Sequence, residues 1–485
     1  MNSRRRVRLV PFLLMGSFLW GCAPVGPNYT PPPVPRPEQW TQPQGSDALQ
    51  PVESTWWLKL EDPLLVQCVE KALSDNQDLK AAEARVRQAR AQRAAAFGTL
   101  LPSVTAGAGY ARSKGSETTV MGPFMKRIDA IDQDLYQAGF DASWEIDVFG
   151  GARRSVEAAT AREEAAQESY RDVLVSVAAE TARLYVELRG AQRQLAVAEK
   201  NAEIQKHTLR LVENKREARL ASQLEVEQAR AQLEQTLSSI PPLQANIRAA
   251  AYAIAVLTGE PPDALLQELL ETQPLPGPPD VVPVGLPSDL LRRRPDVRRA
   301  ERNLHAATAD IGAATADLFP RFFLTGSAGL ESKKFTEVFQ ANSLAWSLGP
   351  SISWPVFQGG RIRANIAASE ARRDEILATY RQAVLSALKD VETALVRYAQ
   401  RRLEQERIAA SYTAQAKAVT MADAQYRNGL QNFLTVLDAE RRLNDIENGL
   451  AVTETRVVSD LISLYKALGG GWEETAGGSP RAGGF

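Results

Sequence analysis

Histidine and cysteine are nearly missing from this chain: 485 residues hold only His207 and His305, and only Cys22 and Cys68. A zinc or iron–sulfur centre needs several such ligands at short spacing, so the chain alone is not expected to hold a metal or any other bound cofactor. Positive charge is also in short supply. Four of the 57 Lys and Arg lie within the first eight residues, and the rest face 58 Asp and Glu. No broad electropositive surface is left for DNA or RNA, and no nucleic-acid partner is expected. Catalytic motifs are absent too. Gly469-Gly470-Gly471 is terminal and lacks the Lys-Ser/Thr of a phosphate loop, so no catalytic residues are assigned and no enzyme is expected. Proline is absent from residues 152–218 and 361–428, and the only glycine in either stretch is Gly190.

What is present begins with an address. Arg4, Arg5, Arg6 and Arg8 precede the apolar run Leu9 to Trp20, which has signal-peptide length and is too short to span a bilayer. It ends in Leu19-Trp20-Gly21-Cys22, which resembles a bacterial lipobox. That resemblance implies cleavage before Cys22 and acylation of its thiol and new amino group. Several acyl chains, at about 0.8 kcal/mol per CH₂, make such an anchor effectively permanent. Ala23 at the next position favours the outer membrane by the same resemblance. A Pro-rich arm, Pro24 to Pro51, follows and is expected to run extended.

The remainder is written twice. Asp78 to Pro102 aligns with Asp296 to Pro320, 218 residues later, and Val148-Phe149 matches Val356-Phe357. Leu220, Leu224, Val226, Ala229 and Leu233 match Leu430, Leu434, Val436, Ala439 and Leu443. So long a period marks a duplicated unit rather than a solenoid. The expected layout is a signal peptide (1–21), an anchored arm (22–62), a first repeat (63–268), a linker (269–288), a second repeat (289–468) and a disordered Gly-rich tail (469–485). In the first repeat, strands are expected near 103–113 and 138–149, a long helix near 152–218 and a returning helix near 222–258. In the second, the strands fall near 321–331 and 346–357 and the helices near 361–428 and 430–468. An uninterrupted helix of that length extends roughly 100 Å at about 1.5 Å per residue. Apolar positions such as Val173, Val177, Leu184, Leu188 and Leu195 form a narrow seam, as coiled-coil packing requires.

The four strands carry the discriminating signal. Phe140 to Val148 alternates an apolar face with an acidic or hydroxylic one, and Trp346 to Trp354 alternates an apolar face with Ser and Gly. Val104, Ala106, Ala108 and Tyr110 oppose Ser103, Thr105, Gly107 and Gly109, and Phe322 to Leu330 is a weaker fourth case. Lengths near 9–11 residues match membrane β-strands, whose lipid and water faces alternate. A soluble sandwich alternates as well, but export and acylation favour a barrel. Four strands cannot close an open barrel, and lipid tolerates no open edge, so the chain must associate with copies of itself. Three copies supply roughly 12 strands. Pro350 lacks an N–H, so a bulge or kink is expected there.

Gly285-Leu286-Pro287-Ser288-Asp289-Leu290-Leu291-Arg292-Arg293-Arg294-Pro295-Asp296-Val297 resembles a signature of the outer-membrane factor family, the TolC-like efflux channels. Gly26-Pro27-Asn28-Tyr29, Trp354-Pro355-Val356-Phe357 and Leu434 to Arg441 place the chain near the lipid-anchored branch that includes OprM and the NodT group. The resemblance covers about residues 19–470. It implies a mainly α fold with a membrane β-barrel: a homotrimer with a 12-stranded barrel in outer-membrane lipid and a helical periplasmic tunnel. It also implies docking to a periplasmic adaptor and an inner-membrane pump. The tips near Arg219, Leu220 and Ala221 and near Asn428, Gly429 and Leu430 are implied adaptor contacts. Arg219 stands where the family more often has Gly, which leaves that turn's geometry open. Leu434, Asp438 and Arg441 coincide with the family's periplasmic gate, and inter-helix contacts of Asp438 and Arg441 are expected to hold it shut.

Asp141, Glu145 and Asp147 project from one strand face and, if they line a lumen, favour cations. Cys68, in an apolar stretch, is expected to be a buried packing residue. Three readings follow: an efflux conduit, the exit duct of a protein secretion system, or a coiled-coil rod without a pore. The rod has no use for four alternating strands. Substrate choice is left to the pump, although scarce Met and His argue against a dedicated copper or silver route.

Overall fold

The computed structural model describes residues 24–33, 39–41, 54–128, 131–279, 282–285, 287 and 293–472. Cys22, the signal segment, most of the Pro-rich arm and the tail beyond Trp472 lie outside the described residues. In chain order the elements are α1 (Pro63–Asp75), α2 (Gln77–Gly98), β1 (Ser103–Lys114), α3 (Gly122–Arg127), β2 (Asp132–Ile146), α4 (Gly151–Glu217), α5 (Gln223–Ser238), α6 (Ile240–Leu257) and α7 (Leu266–Leu270). Then come α8 (Pro295–Ala316), β3 (Arg321–Ser332), β4 (Leu344–Ser353), α9 (Arg361–Arg427) and α10 (Phe433–Ala467), with short 3₁₀ turns between. No described helix is long and apolar enough to cross a membrane.

The chain forms two compact units, and they do not coincide with the two repeats. One holds the arm up to Pro32, Val86–Ala165 and Ala300–Tyr380; the other holds Pro33–Arg85, Ala166–Arg299 and Arg381 onward. Each unit therefore draws on both repeats. The reason lies in α4 and α9, both 67 residues long, each of which begins in the first unit and continues in the second.

In the first unit the four strands form one antiparallel sheet in the order β1-β2-β3-β4. Registers are continuous: Ser103 faces Ser143, Ile146 faces Phe322 and Arg321 faces Ser353. Pro350 sits opposite Leu324 with no extra residue on either side, so the expected bulge is absent. β4 has only one neighbour within the chain, and an edge strand accommodates proline without breaking the ladder. β2 starts earlier than expected and stops at Ile146, and β4 runs Leu344–Ser353 rather than to 357.

The second unit packs helices. Gly190, inside α4, allows close approach of α10: a Cβ there would lie 2.3 Å from the Thr455 hydroxyl oxygen. The returning helix of the first repeat, expected to be single, is broken into α5 and α6 at Ser239. Pro241 and Pro242 explain this, because proline is accommodated in a helix's first turn but not in its interior. α10, its counterpart, contains no proline and is unbroken. Gly469 to Trp472, assigned above to the tail, are instead packed. The Trp472 indole N–H donates to the Arg293 carbonyl at 2.9 Å, and its ring lies between the guanidiniums of Arg171 and Arg298. Arg294 bridges Asp296 at 2.7 Å and donates to the Ala467 carbonyl at the end of α10, so Arg294 and Asp296 of the Arg-Arg-Arg-Pro-Asp motif clamp that helix end.

Candidate functional site: a two-faced sheet and paired helix tips

Alternation and register together put one kind of chemistry on each side of the sheet. On one side stand Val104 and Tyr110 of β1, Tyr136, Phe140, Trp144 and Ile146 of β2, Phe322 and Leu324 of β3, and Leu344, Trp346, Leu348 and Ile352 of β4. Phe140 is 60% exposed, Ile352 67% and Trp346 73%. A contiguous apolar patch of this size on a surface marks a contact with something non-aqueous. Aromatic rings bracket it. Tyr110 stacks on Tyr136 at 4.7 Å near one end, and the Trp144 and Trp354 indoles cap the Leu100 and Leu318 carbonyls at 2.9 and 3.1 Å near the other. From Tyr136 to Trp144 the strand covers about 27 Å, or ~20 Å of depth at a tilt of about 40°, close to the apolar band of an outer-membrane barrel.

The other side is mainly polar and acidic, with Phe323 opposite Glu145 as an apolar exception. Asp141 is exposed between Thr105 and Ser327. Glu145 is on the same face, where it acts electrostatically on Arg321. Asp147 is not on this face. The strand ends before it, and its carboxylate accepts from the Arg153 backbone N–H at 2.9 Å and pairs with the Arg153 side chain at 3.2 Å. It caps α4 and so leaves the set of acidic residues. Glu331, opposite Gln137, belongs there instead. Its odd-numbered parity with Thr325, Ser327 and Gly329 was the available signal.

The segment that follows Cys22 docks beside this sheet. Val25 N–H donates to the Phe149 carbonyl at 3.0 Å, and Arg154 donates to Asn28 Oδ1 at 2.6 Å. Tyr29 stacks on His305 at 4.5 Å and donates to Glu301, while His305 Nε2 lies 3.0 Å from Glu157. The other histidine, His207, is exposed beside Arg210. Cys68 is buried in α1, and burial pushes its thiol up to about 12, which keeps it unreactive.

In the second unit the two helical hairpins end in matching turns. Arg219 (φ 60°) and Gly429 (φ 75°) both take the left-handed conformation. Leu220 N–H closes onto the Lys215 carbonyl at 2.8 Å, and Leu430 N–H onto Gln425 at 2.9 Å. The open question at Arg219 is thereby answered: it adopts the glycine geometry. Ser222 and Glu225 form a reciprocal cap, and Asn432 caps α10 through Thr435. Leu220, Leu224, Leu430 and Leu434 all project, exposed, around these turns, with Ala221 and Asn428 beside them.

Behind the tips the hairpins lock together. Phe433 is buried against Val212, Val226 and Ala229, and Lys215 Nζ lies 3.7 Å from the Tyr426 ring centroid. Comparing the repeats would have exposed this contact, because the first-half counterparts of Tyr426 and Phe433 are Arg216 and Gln223. Within the single chain Asp438 accepts from Arg441 at 3.4 Å and pairs with Arg442 at 3.0 Å, both on its own helix. Arg442 is a partner that the sequence reading missed. Two residues along, Glu440 turns inward. Thr208 of α4 lies 3.4 Å from one carboxylate oxygen, and the other is buried without a partner. Burial, with Asp423 of α9 adding repulsion, raises its pKa to about 7.

Three outcomes follow. Arg219→Gly relieves the left-handed side chain and raises thermal stability by about 0.5–1 kcal/mol; a loss would refute the strain. Asp438→Ala, which frees Arg441 and Arg442, is expected to raise single-channel conductance if these residues form the gate that the family resemblance implies; unchanged conductance removes Asp438 from that implied gate. Between its ordinary carboxylate range and about 7, Glu440 holds more protons in the folded than in the unfolded state, so its contribution falls as pH rises through that window. Glu440→Gln therefore melts higher than the parent at pH 8 and alongside it at pH 4; equal melting at pH 8 contradicts the burial.

A family model described as outer membrane efflux protein matches residues 68–260 and 286–470. Nodulation protein T of Rhizobium leguminosarum bv. trifolii is 30% identical over 462 residues, covering 94% of this chain and 96% of its own. Pyoverdine export outer membrane protein OpmQ of Pseudomonas aeruginosa is 32% identical over 435 residues, covering 88% and 89%. Among solved structures, the outer-membrane channel OprN aligns with a TM-score of 0.86 at 37% identity, covering 92% of this chain and 99% of that one.

Proposed function

The chain belongs to the outer membrane efflux protein family, and on that footing we propose that three copies form one channel whose wall is the two-faced sheet. The protein is an outer-membrane component of an efflux system that carries small molecules outward. Three copies of the four-stranded sheet make twelve strands, with the apolar side in lipid and Asp141, Glu145 and Glu331 lining the water-filled interior. Cys22 carries a diacylglycerol and an N-acyl chain, and the docking of Val25 to Tyr29 beside the strand ends holds that anchor at the membrane surface. The exposed leucines around Arg219 to Ala221 and Asn428 to Leu430 offer an apolar contact to a periplasmic adaptor. An inner-membrane pump supplies the energy, and the chain acts as a conduit rather than a catalyst. The relative named for pyoverdine export supports small molecules as the cargo class.

The observation that carries this reading is the exposed apolar face, continuous across four register-locked strands and backed by an acidic one. Purified acylated protein in planar bilayers should open cation-preferring pores. Asp141→Asn with Glu145→Gln should shift the reversal potential towards zero without abolishing conductance. An anion preference in the parent would reject the lining, and the absence of pores would reject the channel.

A further inference from the structure

Between α4, the break from α5 to α6, and α10 lies a groove of about 750 Å³, inside the size range of small-molecule sites. All its lining residues belong to the second unit. The helix break contributes Ser238, Ser239 and Pro242 to the wall, but side-chain amides dominate it. Asn201 comes from α4, Gln232 and Gln235 from α5, and Asn444 and Asn448 from α10. No aromatic ring lines the groove, so a flat ring finds no stacking face there. Two charges reach it, Arg441 and Asp445. They are opposite in sign and four residues apart on α10, about 6 Å along the axis at ~1.5 Å per residue.

Asn201 sets this lining apart from a solvated helix surface. The residue is 5% exposed, and no described residue hydrogen-bonds to its amide. That amide is not sealed in the core either, because it opens on the groove. One turn further along α4, Gln205 is buried with both amide atoms unpartnered, whereas Val186 and Leu188 fill buried positions earlier in the same helix. A buried amide without a partner destabilises the fold, so one that lines a groove points to a partner from outside the chain.

We propose that the groove binds a short unblocked peptide. A carboxamide sets an N–H donor beside a C=O acceptor, which is the complement of a peptide group. The Lys200–Glu447 ion pair at 2.8 Å holds α4 and α10 together at this level, so Asn201 and Asn448, the next residue on each helix, stand at one height. The charges set the length. A dipeptide reaches about 7 Å at ~3.5 Å per residue, which suits Arg441 for its carboxylate and Asp445 for its ammonium group. Arg441 is free to take a second acid, since Asp438 keeps Arg442 at 3.0 Å. Asp445 has no ion-pair partner among the described residues.

Calorimetric titration of L-alanyl-L-alanine into full-length acylated protein in detergent tests the site. Saturable binding is expected, weakened at least about tenfold by Asp445→Asn and by Asn201→Leu, each of which removes one polar contact. Asn201→Leu should melt no lower than the parent, because the lost amide had no partner inside the fold. N-acetyl-alanyl-alanine amide, which lacks both end charges, should bind at least about tenfold more weakly than the free dipeptide. Absence of saturable binding, equal binding of the blocked peptide, or equal binding of maltose overturns the proposal. So does a lower melting temperature for Asn201→Leu, which would make its amide a structural one. Pore formation is read separately in planar bilayers, and none of these results depends on it.

Discussion

Hydrocarbon offers no hydrogen bond, so every backbone N–H and C=O inside a membrane must find its partner within protein. That constraint governs the rest of this molecule. The internal ladders of the sheet are complete and in continuous register, and the side turned to apolar surroundings carries no charge between its aromatic brackets. At Gly139 opposite Gly329, a Cβ on Gly139 would fall 2.7 Å from the facing Cα, and both positions are glycine. The two outer edges, of β1 and β4, remain unpaired within one chain, and these are the edges that the proposed three-copy barrel closes.

Duplication supplied two related hairpins, and they differ at identifiable positions. Both tips share one backbone turn, built with Arg219 in one and Gly429 in the other. Only the second hairpin carries Phe433 and Tyr426, and these bind it to the first. Only the first is broken at Ser239, while α10 runs through. Asp438, Arg441 and Arg442 thus stand on a continuous helix, one turn or more behind an aromatic lock, with the buried Glu440 facing the other way.

The long helices were legible from the absence of proline and the near absence of glycine, because nothing in those stretches could stop a helix. The strands were legible from alternation, since period two has no other cause over ten residues. Their ends were not. Asp147 continues the alternating pattern, yet capping α4 claims its carboxylate, and capping depends on where the chain turns. Pro350 was expected to break the ladder, but an edge position made it harmless. The Pro241-Pro242 break was readable in principle, because two adjacent prolines cannot sit inside one helix. Glu440 and the Arg294 clamp were beyond reach: burial of a carboxylate between α4 and α9, or a guanidinium closing on Ala467, follows from packing between segments distant in sequence.

The central claim is that hydrocarbon touches one face of the sheet and water the other. Spin labels placed singly at residues 345 to 352 of β4 in reconstituted protein measure this directly. The account predicts a period of two, with even positions accessible to lipid-dissolved oxygen and odd positions to a water-soluble nickel chelate. Uniform access of the nickel chelate along the strand would contradict it.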